Sequence, residues 1–157
     1  MRLARFSSPA SDRWYEDYEP GATYVLGTFS LSEAEIIDFA TRFDPQSFHI
    51  DAKAAAESHF GGIIASGWHT AAAAMRLLVD GFISTCGGLG SPGLDQIRWV
   101  KPVRPGMVLE ARVTVREKRV SQSKPDRGLI SHTVEVLDAK GELMMSYQGT
   151  GMVRLRP

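Results

Sequence analysis

Cysteine is nearly missing from this chain: Cys86 is the only one in 157 residues. No internal disulfide is possible, and a cytoplasmic protein is expected. An excess of one charge is missing as well, because 18 Lys and Arg balance 18 Asp and Glu. A general nucleic-acid binder would carry a basic surplus, and a disordered acidic segment the opposite one. Long apolar runs are absent. The most apolar stretch, residues 70–83, is interrupted by Arg76 and Asp80, far short of the roughly 20 apolar residues of a membrane span. Residues 1–11 contain two arginines but no apolar run of a signal peptide. Repeats and low-complexity linkers are missing too. What remains is an ordinary globular composition, 43% hydrophobic and 23% charged. Its length suits one domain over residues 1–157, large enough to bury about 68–70% of its unfolded surface. A small-molecule ligand or another protein surface stays open as the partner.

Residues 1–17 read as an irregular lead-in. After a turn at Pro20-Gly21, residues 23–29 form a β-rich run. Then the period changes. Ser32 and Glu35 have the spacing of a capping box. Ile36, Ile37, Phe39, Ala40 and Phe43 follow at helical intervals, which predicts an amphipathic helix over 32–42. Asp44-Pro45 stops it, because a residue before proline avoids the α region. A polar loop over 44–49, a helical turn over 52–58, a break at Gly61-Gly62 and an extended approach at 63–65 lead to Ser66-Gly67.

The next helix, 68–85, is apolar around most of its circumference, and its polar residues Arg76, Asp80 and Ser84 share one stripe. Such a helix is read as buried, with Gly87, Gly88 and Gly90 ending it. Cys86 near that end is either a reactive thiol or a small residue of an apolar segment. Residues 94–100, 108–120, 129–137 and 142–155 read as strands, with His132 placed among the outward positions. This order is α+β. Five strands curled around one apolar helix make the hot-dog arrangement, whose unpaired edge predicts a symmetric dimer.

The chemistry concentrates in residues 43–51, FDPQSFHID. Asp44 and His49 bring a carboxylate and an imidazole to one short loop, where each can act as acid or base. The plainer reading is that Asp44 caps the turn after it and His49 is a surface residue. Gly67 opens the long helix, whose first N–H groups lack intrahelical partners and carry partial positive charge. Such an N–H can stabilise an oxyanion, or Gly67 simply belongs to the helix cap. His49, His59 and His69 lie ten residues apart in sequence, a spacing that matches no compact metal-ligand pattern.

These residues resemble the MaoC-like (R)-specific enoyl-CoA hydratases, acyl dehydratases of the hot-dog fold. The resemblance runs from Tyr18 to the C-terminus. It rests on Asp44, His49 and Asp51, on Phe60, on Gly67 and on the turn of Pro102, Val103 and Gly106. Departures are Pro45 directly after Asp44, Gln46 for an asparagine, Ile63 for a proline, and Ser66 for the histidine before the helix glycine. The resemblance implies hydration or dehydration of a trans-2-enoyl thioester. Asp44 and His49 would activate water and Gly67 N–H would polarise the thioester carbonyl. Gln46, Phe60, Ser66 and Trp68 would contact substrate, Ser66 and Trp68 having the plainer readings of helix cap and core filler. No metal and no cofactor beyond the coenzyme A of the substrate are expected. Lys101, Arg104, Lys124 and Arg127 could meet its phosphates or be solvated turn charges. The assembly would be a homodimer, a dimer of dimers or a trimer of dimers, without nucleic acid or membrane. Two alternatives remain: a hot-dog acyl-CoA thioesterase using Glu57 or Asp80, and a non-catalytic acyl-CoA-binding module.

Overall fold

The computed structural model describes residues 1–157. Its strands are β1 (Arg2–Leu3), β2 (Ala22–Phe29), β3 (Leu94–Trp99), β4 (Leu109–Val120), β5 (Arg127–Leu137) and β6 (Leu143–Arg154). Its helices are α1 (Glu33–Phe43), α2 (Ser47–Ile50), α3 (Ala52–Glu57) and α4 (Gly67–Gly81). The strands form one six-stranded sheet in the order β1-β2-β4-β5-β6-β3. All neighbours are antiparallel except β1, which runs parallel to β2. This is the α+β hot-dog architecture. No helix is long and apolar enough to cross a membrane.

The inner face of the sheet is set by strand alternation. Leu109, Ala111, Val113 and Val115 of β4 are fully buried, and Ile130, Val134 and Val136 of β5 lie beside them. Across this face runs α4, which buries Thr70, Ala74 and Leu78. Glycine lets the helix end come close to β2: a Cβ on Gly81 would stand 3.2 Å from a Leu26 methyl.

Four expectations change. The lead-in is not wholly irregular, since it supplies β1 and two short 3-10 turns. It also ends the long helix. The Arg13 guanidinium donates to Gly81 O and Phe82 O, both at 3.0 Å, and Tyr18 Oη donates to Phe82 O at 2.9 Å. The last carbonyls are thereby satisfied, and α4 stops at Gly81 rather than at residue 85. Second, His132 points inward and is 9% exposed. It shares strand phase with Ile130 and Val134, and parity overrides side-chain polarity. Third, His49 sits on a helical turn, α2, not in a loop. Fourth, α4 is not covered all round. Trp68, Met75 and Val79 are exposed on α4, Leu94, Trp99 and Val100 are exposed on and just after β3, and Trp68 meets Trp99 edge-on.

The β3 edge is also bent. Gln96 has φ 51°, and the register with β6 shifts between Asp95 and Arg98. That is a β-bulge, which twists an open edge.

Candidate active site

The site lies where α1, α2 and the start of α4 meet β3 and β6. Helix α1 begins with the capping box read from sequence: Glu35 N donates to Ser32 Oγ at 3.1 Å, and Ser32 N donates to Glu35 Oε2 at 2.8 Å. It ends at Asp44, whose N–H donates to Ala40 O. Pro45 forbids another helical residue at 44, so the chain turns there and the Asp44 carboxylate faces a cleft. One turn of α2 then presents His49, only 4% exposed. Asp51 is spent on capping α3, accepting from Lys53 N and Ala54 N.

The His49 ring is held from behind. Its Nδ1 lies 2.6 Å from Ile64 O. A carbonyl only accepts, so Nδ1 carries the proton. The other nitrogen, Nε2, then faces Asp44 Oδ2 at 3.3 Å. A neutral Nε2 and a carboxylate are both acceptors and cannot bond each other. They need a donor between them, from a water molecule or from a proton on Nε2.

Asp44 is held as firmly. Gln46 Nε2 donates to Oδ1 at 2.7 Å and Ser66 Oγ donates to Oδ2 at 2.7 Å. Burial pushes the Asp44 carboxyl up, but the Gln46 amide, the Ser66 hydroxyl and His49 together outweigh it and hold it below the ordinary 3.8. The group stays an anion at neutral pH.

Gly67 completes the arrangement. Its N–H opens α4 and makes no hydrogen bond within the chain. A Cβ at this position would lie 2.3–2.5 Å from the Trp99 ring, a separation that no side chain tolerates. Glycine is therefore required by the indole packed over the helix start. Trp68 meets the same indole edge-on, with centroids 5.0 Å apart.

Asp44, Gln46, His49, Phe60, Gly67 and Trp68 all line one cleft of about 460 Å³. Ser66 does not. It is fully buried behind the cleft, and its hydroxyl binds Asp44 instead of capping α4, which has no side-chain cap. Trp99, Lys101 and Met145 also line the cleft. Trp99 belongs to β3, and no local signal in the sequence sets it over Gly67. Lys101 is at the cleft but pairs with Glu142 Oε2 at 2.8 Å. Arg104 donates to Phe60 O at 2.5 Å. Lys124 and Arg127 line a different surface pocket. Asp80 pairs with Arg76 on the outer face of α4, and neither it nor Glu57 lines the cleft. Cys86 is exposed, with its thiol near Arg13 O. His69 stacks on Phe39 at 4.4 Å. No group of three or more His, Cys, Asp or Glu residues is placed to hold a metal ion.

Comparison with known proteins bears on this geometry. Residues 17–136 match the family described as MaoC like domain. Protein MaoC of Klebsiella aerogenes is 30% identical over 113 residues, which is 71% of this chain and 33% of that protein. The chain thus spans about a third of that relative. Among solved structures, the MaoC-like dehydratase from Rhodospirillum rubrum superposes with a TM-score of 0.85 at 38% identity, covering 92% of this chain and 99% of the other. The R-hydratase PhaJ1 from Pseudomonas aeruginosa superposes with a TM-score of 0.74 at 23% identity, over 91% of this chain and 86% of the other. At that identity the likeness shows the shared fold alone.

Proposed function

This chain belongs to the MaoC-like domain family, and from that premise we propose that it is a hydro-lyase, adding or removing water across the C2–C3 bond of a trans-2-enoyl thioester. The observation that carries the reading is the His49–Asp44 pair. Its two acceptors face each other at 3.3 Å, with Nδ1 already committed to Ile64 O. Such a pair binds a water molecule by both of its hydrogens.

In the hydration direction, the water oxygen bonds to C3 and one of its protons passes to the pair. The C2–C3 π electrons move to C2 and onto the thioester oxygen, and the pair returns a proton to C2. The Gly67 N–H donates to the oxygen as negative charge develops there. Positioned acid–base groups contribute about 10²–10⁴-fold and one oxyanion donor about 10²–10³-fold. Coenzyme A arrives as part of the substrate, and this scheme calls on no other cofactor. Gln46 and Ser66 fix the carboxylate, Phe60 and Trp68 flank the acyl thioester, and Lys101, which lines the cleft in an ion pair with Glu142, would exchange that partner for a coenzyme A phosphate. The active assembly is a homodimer, because the apolar face of Trp68, Met75, Val79 and Leu94 and the open edge of β3 both call for cover. Light scattering of the intact chain is expected to give an even multiple of the monomer mass.

The test is loss of enoyl absorbance with a panel of short, long and methyl-branched trans-2-enoyl-CoAs. The wild type is expected to consume at least one of them. Asp44→Asn and His49→Ala are expected to lose about 10²–10⁴-fold in turnover while melting cooperatively. Free thiol appearing without hydration would make the protein a thioesterase, and unchanged turnover in Asp44→Asn would remove the assignment of the pair.

A further inference from the structure

One wall of the catalytic cleft is the extended segment from Phe60 to Ala65, between α3 and α4. Phe60, Ile64 and Ala65 all line the cleft. The segment also carries the carbonyl on which His49 depends, since Ile64 O lies 2.6 Å from His49 Nδ1 and takes its proton. The tautomer of His49, and the direction in which Nε2 points, follow from where that carbonyl lies. A second route leads the same way. The Phe60 ring packs on Phe48 with centroids 5.0 Å apart, and Phe48 meets the His49 ring edge-on at 4.6 Å.

The segment has little stiffness of its own. It belongs to no helix and no strand. Gly61, with φ 69°, and Gly62 stand side by side in its first half, and glycine leaves a chain more backbone freedom than any other residue. Its position must come from outside. The second half is held through the backbone: Ile64 N donates to Phe48 O at 3.2 Å and Ala65 N donates to Val103 O at 2.8 Å. The first half is reached by one distant group, the Arg104 guanidinium. Its Nη2 donates to Phe60 O across 44 residues of chain. The same guanidinium lies along the double glycine, where a Cβ on Gly62 would stand 3.5 Å from Nη1.

Val103 and Arg104 are neighbours, so one turn grips the segment at both ends. That turn is itself firm. Pro102 and Pro105 flank the two residues and lock their own φ angles. Gly106 N donates to Leu31 O at 2.8 Å, just ahead of α1. Three observations separate Arg104 from a solvated charge or a substrate contact. No carboxylate pairs with it. It does not line the cleft. The acceptor its guanidinium takes is a main-chain carbonyl, and a charged donor makes the stronger kind of hydrogen bond.

We propose that Arg104 is a positioning residue. By clamping the glycine-weakened segment 60–65 it holds Ile64 O against His49 Nδ1, and it touches neither the water nor the thioester. Its effect on turnover rests on the hydro-lyase reading given above, whereas the clamp on His49 does not.

The test compares the full chain with Arg104→Ala, Arg104→Lys, and Arg104→Ala combined with Gly62→Ala. Gly62 is not left-handed, so alanine fits its backbone. The first readout is nitrogen NMR of the His49 imidazole, which needs no turnover. The wild type is expected to show a protonated Nδ1 whose proton exchanges slowly with water. Arg104→Ala should speed that exchange about tenfold. Arg104→Lys should recover most of the protection, because an ammonium still donates to Phe60 O. Gly62→Ala should recover part of it in the Arg104→Ala chain, because a stiffer segment needs the clamp less. The second readout is turnover of an accepted enoyl-CoA. In Arg104→Ala kcat should fall about tenfold with KM little changed, and the other two variants should recover in the same order. If Arg104→Ala does not fold, Arg104→Met, which keeps the stem without the donor, takes its place.

Unchanged Nδ1 exchange in Arg104→Ala overturns the proposal. Equal loss in the alanine and lysine variants overturns it too, since a clamp through one donor tolerates an ammonium. A raised KM at unchanged kcat also overturns it and makes Arg104 a contact for the substrate. A wild type that hydrates nothing, with Nδ1 protection still lost in Arg104→Ala, would remove the hydro-lyase reading and leave the clamp standing.

Discussion

At the two ends of α4 the same helix and the same sheet enclose opposite kinds of space. At the N-terminal end, polar groups hold one another. Asp44 takes Gln46 and Ser66, His49 takes Ile64 O, and one N–H, that of Gly67, is left over. At the C-terminal end, His132 and Tyr147 line a mostly apolar cavity, and His132 Nδ1 lies 3.3 Å from Ile130 O. The lesson is about what glycine does in each place. Gly67 is small because Trp99 fills the space its side chain would need, whereas Gly151 is small and nothing fills the space. The first glycine serves packing and leaves its N–H without a partner in the chain, and the second leaves room.

The sharpest way to break this contrast is to add one methyl group at each end. Gly67→Ala drives a Cβ into the Trp99 ring. Overpacking of this kind costs about 1–3 kcal/mol, and movement of the helix start would take the oxyanion donor with it. Urea unfolding should show the loss of stability, and turnover should fall about 10²–10³-fold. Trp99→Leu placed in the same chain is expected to restore much of the stability.

A smaller effect is expected where the polar network is thinned rather than broken. Ser66→Ala removes one donor from Asp44. In the folded protein the carboxyl is held below 3.8. A depressed folded value contributes stability above the unfolded pKa, and that stability is lost as pH falls through the folded value. Losing Ser66 raises the folded value. The acid limb of the turnover profile should therefore move to higher pH, with about a tenfold drop in turnover at pH 7. A profile that falls in amplitude without moving would make Ser66 a packing residue only.

The smallest effect belongs to Gly151→Ala. Its Cβ has open space and the backbone there is not left-handed. The expected outcome is a gain of about 0.4–1 kcal/mol from reduced freedom of the unfolded chain, with turnover of the shortest enoyl thioester unchanged. Thermal unfolding of the two alanine variants side by side would show opposite signs. The same sign in both would remove the contrast between a filled and an empty position.

Much of this arrangement was legible in the chain, for identifiable reasons. The capping box at Ser32 and Glu35 and the stop at Asp44-Pro45 act through atoms within a few residues, so their spacing is their geometry. The alternation of β4 through Val115 was equally plain. The end of α4 was not, because Arg13 and Tyr18, far away in sequence, supply its caps. His132 follows Ile130 and Val134 to the inner face despite its polar ring, because strand phase fixes where its side chain points. Its Nδ1 finds a partner in Ile130 O, which offsets part of the cost of burying a polar ring.

Within the site, the sequence offers Asp44, His49 and Gly67 as a carboxylate, an imidazole and a helix-start N–H, each with a plainer reading beside it. It does not offer their relations. Whether Ser66 capped a helix or held Asp44, whether the packing required glycine at 67, and whether residue 151 left a hole were all decided by partners that fold topology brings from distant segments. Local backbone preferences and hydrogen bonds between near neighbours are written in adjacent residues. Side-chain orientation, cavity shape and the partner of a buried polar atom depend on surfaces that do not exist until the sheet has wrapped around the helix.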